Sequence, residues 1–129
     1  LAIGADVTLV EGAGGLLVPL DREHTMADLA RSLALPLLLV ARDGLGVLSY
    51  TLTALECAAA RDLDVAAVIL SRHAPSPHDE SPASNARVLT ERLGGVPVIP
   101  FPATRDDDDA LADAADETGL SCLFGSRAS

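Results

Sequence analysis

Four short apolar runs constrain this chain more than any other feature: Val7 to Val10, Leu37 to Ala41, Val65 to Leu70 and Val96 to Ile99. Each is too short for a helix and is bounded by turn residues, the pattern of strands buried on both faces. Between them, apolar residues recur at helical spacing: Met26, Leu29, Ala30 and Leu33, then Leu48, Leu52, Leu55 and Ala59, then Val88, Leu89 and Leu93. Strands joined through helices need right-handed crossovers, so they lie parallel and take helices on both faces. The expectation is an α/β doubly wound architecture, a parallel sheet with flanking helices and about four strands. Helix starts are marked by Thr25 with Asp28 three residues on, by Ser84 before Asn85, and by Asp106 to Asp109 ahead of Ala110 and Leu111. The stretch from His73 to Pro82, rich in proline and serine and without apolar period, reads as a surface loop.

With 129 residues, 49% of them hydrophobic, the chain has apolar material for one core and not for two. Its longest apolar stretch, Leu33 to Ala41, contains Pro36 and falls well short of the roughly 20 residues a membrane span needs. No signal segment opens the chain, so the expected setting is cytoplasmic, with no membrane partner. All nine basic residues are arginine, against 19 acids, and the net charge of -10 leaves no electrostatic footprint for nucleic acid. The absence of lysine removes chemistry that needs an ammonium group, including a P-loop lysine and any Schiff base. Cys57 and Cys122 make neither a disulfide framework nor a zinc site, which points to a reducing compartment. The chain opens on Leu1 and its one methionine is Met26, so a piece of a longer protein is expected.

In an open parallel sheet, ligands gather outside the carboxyl ends of the strands. Residues there are Glu11-Gly12-Ala13-Gly14-Gly15, Arg42-Asp43-Gly44-Leu45-Gly46, Ser71-Arg72 and Pro100-Phe101. In the first group, a carboxylate at a strand end precedes three glycines in four residues. That places a hard oxygen ligand suited to Mg²⁺ beside backbone able to approach a phosphate closely. The same residues also fit a tight turn at which Glu11 simply leaves the core. Gly44 and Gly46 are ordinary for a strand-to-helix turn. His24, His73 and His78 share no metal-ligand spacing and read as surface residues, and Cys57 reads as a small core residue. The Asp106 to Asp109 run reads as a solvated helix entrance rather than a calcium loop.

Three stretches, Val10-Glu11-Gly12-Ala13-Gly14-Gly15-Leu16-Leu17-Val18-Pro19-Leu20, Ala27-Asp28-Leu29-Ala30 and Leu35-Pro36-Leu37-Leu38-Leu39-Val40-Ala41, resemble the ATP-dependent dethiobiotin synthetases. The resemblance continues through Asp43-Gly44-Leu45-Gly46, Ala67 to Leu70, Ser84 to Leu89 and Val96 to Pro100. It implies a P-loop NTPase-like fold, of which residues 1–129 would be the carboxy-terminal part of a single domain. It also implies a homodimeric, ATP- and Mg²⁺-dependent ligase that joins CO₂ to diaminopelargonate through a carbamate and its phosphate, for biotin synthesis. By resemblance Glu11 holds the magnesium, and Gly12, Ala13 and Gly14 line the phosphate and carbamate region. Ser71, Arg72, Pro100, Phe101, Pro102 and Asp107 fall at the nucleotide, and Gly46 and Ser49 in the turn that reaches substrate across the dimer. The family's Walker A lysine has no counterpart among these residues, so no catalytic residue is assigned and the chain alone is expected to be inactive. Ser71 and Ser49 stand where the family usually carries asparagine, and a hydroxyl lacks the paired donor and acceptor of an amide. Two other readings stay open: the synthetase domain of a cobyrinic or cobyric acid amidotransferase, and a non-catalytic α/β dimerisation module.

Overall fold

The computed structural model describes residues 7–72 and 82–124. Helices and strands alternate: α1 (Met26–Leu33), β1 (Leu37–Arg42), α2 (Val47–Ala59), β2 (Val65–Ser71), α3 (Pro82–Leu93), β3 (Val98–Phe101) and α4 (Asp108–Glu117), closed by a 3-10 turn at Leu120–Phe124. The three strands form one parallel sheet in the order β1-β2-β3, so β2 is central. Each crossover is a helix, α2 between β1 and β2 and α3 between β2 and β3, as parallel pairing demands.

Side chains alternate across the sheet. Ala41, Val68 and Leu70 meet Val47 of α2 and Leu89 of α3 in the buried core, with Leu39, Leu52, Leu55, Leu93 and Val98 packed around them. Only β2 has the burial on both faces that its apolar run implies, with Ala67, Val68, Ile69 and Leu70 all buried. On the edge strand β1, Val40 is 67% exposed, which corrects the expectation of two-sided burial for every run.

The run Val7 to Val10 is a second correction. It carries no strand, and Val7, Leu9 and Val10 are all exposed, so among the described residues the sheet has three strands rather than about four. A strand exists only where a neighbour takes its backbone groups, and residues 7–10 have no ladder partner among the described residues. The last strand is also displaced, from Val96–Ile99 to Val98–Phe101. The Val96 amide closes a turn onto Leu93 O, and Pro97, which has no N–H, joins β2 only by accepting from the Val68 amide at 2.9 Å, so the strand begins at Val98, opposite Val68. Pro100 is tolerated because β3 is an edge.

Helix ends follow local chemistry. Thr25 caps α1 in a reciprocal box with Asp28, whose carboxylate accepts from the Thr25 amide and hydroxyl, each at 2.8 Å. Asp107 caps α4 by accepting from the Ala110 amide at 2.8 Å. Helix α3 starts at Pro82, not at Ser84, since proline is well suited to a first helical position. His73, His78 and the loop read over His73 to Pro82 lie almost entirely outside the described residues.

Candidate functional site

The carboxyl ends of all three strands meet on one side of the molecule. The Asp43 amide donates to Ser71 O and the Arg72 amide to Phe101 O, both at 2.9 Å, which carries the two ladders one residue past the strands. This zipping brings Ser71, Arg72 and Phe101 to the rim of a cleft of about 290 Å³, also lined by Pro102, Thr104, Arg105 and Asp106. Four of the six residues assigned to a nucleotide by resemblance therefore share one cavity. Pro100 and Asp107 do not line it; Asp107 is engaged as the α4 cap and pairs with Arg105 at 3.4 Å. A larger groove of about 540 Å³, walled by Leu52, Leu55, Leu63, Val65, Leu93 and Val96, lies at the opposite, amino-terminal end of the strands.

Asp43 was not singled out by sequence reasoning, yet it is the most enclosed charged side chain at the strand ends. Its carboxylate has no exposure; one oxygen accepts from Arg72 Nε at 3.1 Å and the other from Asn85 Nδ2 of α3 at 2.8 Å. These partners stand 29 and 42 residues away in the chain, so no local spacing announces them. Asn85 itself is buried, and its amide lies 3.5 Å from Gly44 O.

Gly46 starts α2 at φ +90°, a conformation in which glycine is unstrained. That turn leaves Leu45 88% exposed and Ser49 exposed on the first turn of α2, so Gly46 and Ser49 sit on an outer surface next to Asp43. Tyr50 lies beside them, its hydroxyl donating to Arg42 O at 2.6 Å. Burial, and then the nearby Asp43 charge, raise the Tyr50 phenol above its ordinary pKa.

The glycine-rich stretch forms an exposed loop. Glu11 to Gly15 are all exposed, and the following segment is pinned to α1, with the Ala27 amide donating to Leu16 O at 2.8 Å and the Met26 amide to Val18 O at 2.9 Å. Gly14 has φ +73°, and a Cβ there would stand 2.9 Å from Val18 Cγ2. A Cβ at Gly12 would stand 3.8 Å from the Met26 sulfur, an ordinary van der Waals contact. Among the described residues, no three His, Cys, Asp or Glu side chains cluster as a metal cage. Magnesium does not require one, since it commonly keeps waters and takes one or two carboxylates together with substrate phosphates. An accessible glutamate beside a loop without side chains at Gly12 and Gly14 fits that donor set. Elsewhere His24 is exposed against Asp21, 3.0 Å away, and Cys57 is buried within α2.

Residues 2–101 match the family model described as an AAA domain. The chain belongs to that family. Within it, the sequence is dethiobiotin synthetase-like. It is 41% identical over 113 residues to the ATP-dependent dethiobiotin synthetase of Phenylobacterium zucineum, a match covering 88% of this chain and 47% of the relative. The enzyme of that name from Anaeromyxobacter sp. strain K is 45% identical over 94 residues, 71% of this chain and 42% of its own length. The Bacillus subtilis enzyme of the same name is 34% identical over 119 residues, 90% of this chain and 51% of its own. The chain thus spans about half the length of the curated relatives it matches. The parallel sheet with its helical crossovers is the architecture expected of this AAA domain, and no helix among the described residues is long and apolar enough to cross a membrane.

Proposed function

We propose that this chain is the carboxy-terminal part of a cytoplasmic, homodimeric dethiobiotin synthetase, an ATP- and Mg²⁺-dependent ligase acting on 7,8-diaminopelargonate and CO₂. The observation that supports it best is the cleft at the ends of β2 and β3, where Ser71, Arg72, Phe101 and Pro102 converge. An aromatic face, a proline and a hydroxyl suit a purine and its ribose, and the guanidinium supplies positive charge in a strongly acidic chain. The likeness to enzymes named as ATP-dependent synthetases agrees with that chemistry.

In this reading one amine of the substrate takes up CO₂ as a carbamate. A carbamate oxygen accepts the γ-phosphoryl group of ATP, and the second amine then displaces phosphate at the carbonyl carbon to close the cyclic urea. Such transfers depend on positioning and on neutralising oxygen charge. Glu11 would hold Mg²⁺, which when bound offsets the charge of the phosphate oxygens. Gly12, Ala13 and Gly14 offer backbone at the phosphate and carbamate, their loop fixed by the amides of Met26 and Ala27. Gly46 and Ser49 present substrate contacts to the partner protomer, next to the outward Leu45, an apolar side chain that a second protomer would cover. Residues of this chain orient the reactants, whereas the phosphate-binding lysine comes from the amino-terminal half.

The test joins this chain to the amino-terminal half of the Phenylobacterium zucineum relative and assays dethiobiotin by mass spectrometry. Product should require diaminopelargonate, bicarbonate, ATP and Mg²⁺, and the chain alone should yield none. Glu11→Gln should lower turnover by about a hundredfold or more. A folded hybrid that forms no product would reject the reading; equal activity with Glu11→Gln would reject the metal role alone.

A further inference from the structure

We infer that Asp43 is a positioning residue for the nucleotide, acting through Arg72; the inference rests on the proposed ATP site. A fully enclosed carboxylate is costly unless paired and hydrogen-bonded, and an apolar side chain of similar size would commonly serve stability as well or better. Asp43 must therefore be explained by what it holds. One oxygen takes Arg72 Nε at 3.1 Å and the other takes Asn85 Nδ2 at 2.8 Å, so a single side chain ties the end of β1 to the residue after β2 and to the first turns of α3. The backbone supports the same join, the Asp43 amide donating to Ser71 O.

Arg72 is the member that reaches the ligand. It is 45% exposed and lines the cleft beside Ser71 and Phe101, while its Nε is engaged by Asp43. A long, flexible side chain is thereby clamped at one nitrogen, and the plane of its guanidinium is set before an anion arrives. The gain is in affinity, since ordering the arginine no longer has to be met from the binding energy. Lysine at position 72 would keep the charge but lacks the planar guanidinium whose orientation the Asp43 carboxylate sets.

The experiment is a kinetic double-mutant cycle in the full-length protein, reading KM for ATP apart from kcat. Asp43→Asn and Arg72→Lys should each raise KM for ATP by about tenfold with kcat within about threefold, and the double variant should be no worse than either single one. The thermal midpoint is followed in parallel. Asn85→Ser, which loosens the carboxylate without removing the ion pair, should raise KM for ATP by about threefold and serves if Asp43→Asn does not fold. Multiplicative effects in the cycle, or loss of stability at an unchanged KM for ATP in Asp43→Asn or Asn85→Ser, would overturn the inference. A parent protein with no saturable dependence on ATP would overturn the ATP site itself, and this inference with it. A parent saturating normally beside variants that match it would overturn the positioning role alone.

Discussion

Val65 to Leu70 and Val7 to Val10 are alike as sequence, each a short apolar run that ends at a polar residue. In the fold they diverge: Val68 and Leu70 have no exposure, whereas Leu9 is 71% exposed and Val10 53%. The central run is delivered between two neighbours by helical crossovers, with β1 paired along its length and β3 paired from Val68 onward. The early run leads instead into a glycine loop that is fastened only further on, by the Pro19–Thr25 bridge and the amides of Met26 and Ala27. Apolar character makes a segment eligible for a sheet; a partner backbone makes it a strand.

The sharpest way to break this contrast is to truncate both runs. Leu70→Ala removes a buried side chain from the α2 and α3 face and should cost about 2–5 kcal/mol. Val10→Ala, at an exposed site, should stay within about 0.5 kcal/mol. Urea denaturation of the two variants measures the difference. Comparable losses would mean that residues 7–10 are packed in solution.

Gly14→Ala separates the two regions locally. The new Cβ meets both a left-handed backbone and Val18 Cγ2 at 2.9 Å, so the loop should be destabilised by about 1–2 kcal/mol. Hydrogen exchange at the Val18 and Met26 amides should quicken while β2 stays protected. Loss of protection in β2 would show the loop and sheet to be one cooperative unit. A smaller effect is expected at the other end of the chain, where Asp107→Ala removes the cap on α4 and should cost about 1 kcal/mol by the same denaturation assay. No change would mean that another acid of the run replaces it.

How far the sequence could be read depends on range. The Thr25–Asp28 box of α1, the α2 stripe and the Asp107 end of α4 were legible because each is decided by residues within a few positions. The convergence of the strand ends followed from the parallel topology, which brings Ser71 and Phe101 into one cleft. The Asp43–Arg72–Asn85 cluster was not legible, since its members are ordinary polar residues until the fold closes 29 and 42 residues of chain. The missing strand at Val7 to Val10 was misread for the converse reason, a correct local pattern whose partner no local pattern can supply.

Acid gives the gentlest probe of the boundary between the regions. Hydrogen bonds from the Thr25 amide, then from its hydroxyl, with a smaller effect of Arg31, hold the Asp28 carboxyl below its ordinary pKa of 3.8. The Glu23 amide first, then the His24 amide and ring, do the same for Asp21. A carboxyl with a depressed folded pKa contributes stability that is fully present above the unfolded value and is lost as pH falls through the folded one. The capping contribution should therefore hold above about pH 4 and fade below 3.8 as the two acids protonate, loosening residues 20–28. Amide chemical shifts followed from pH 5 downward should move together at Glu23, His24 and Thr25, with β2 amides unchanged over the first part of that range. Asp28→Asn should remove the Thr25 component and leave that of Asp21. If β2 shifts titrate in step with Thr25, the amino-terminal loop and α1 are not a separate unit but part of what holds the sheet.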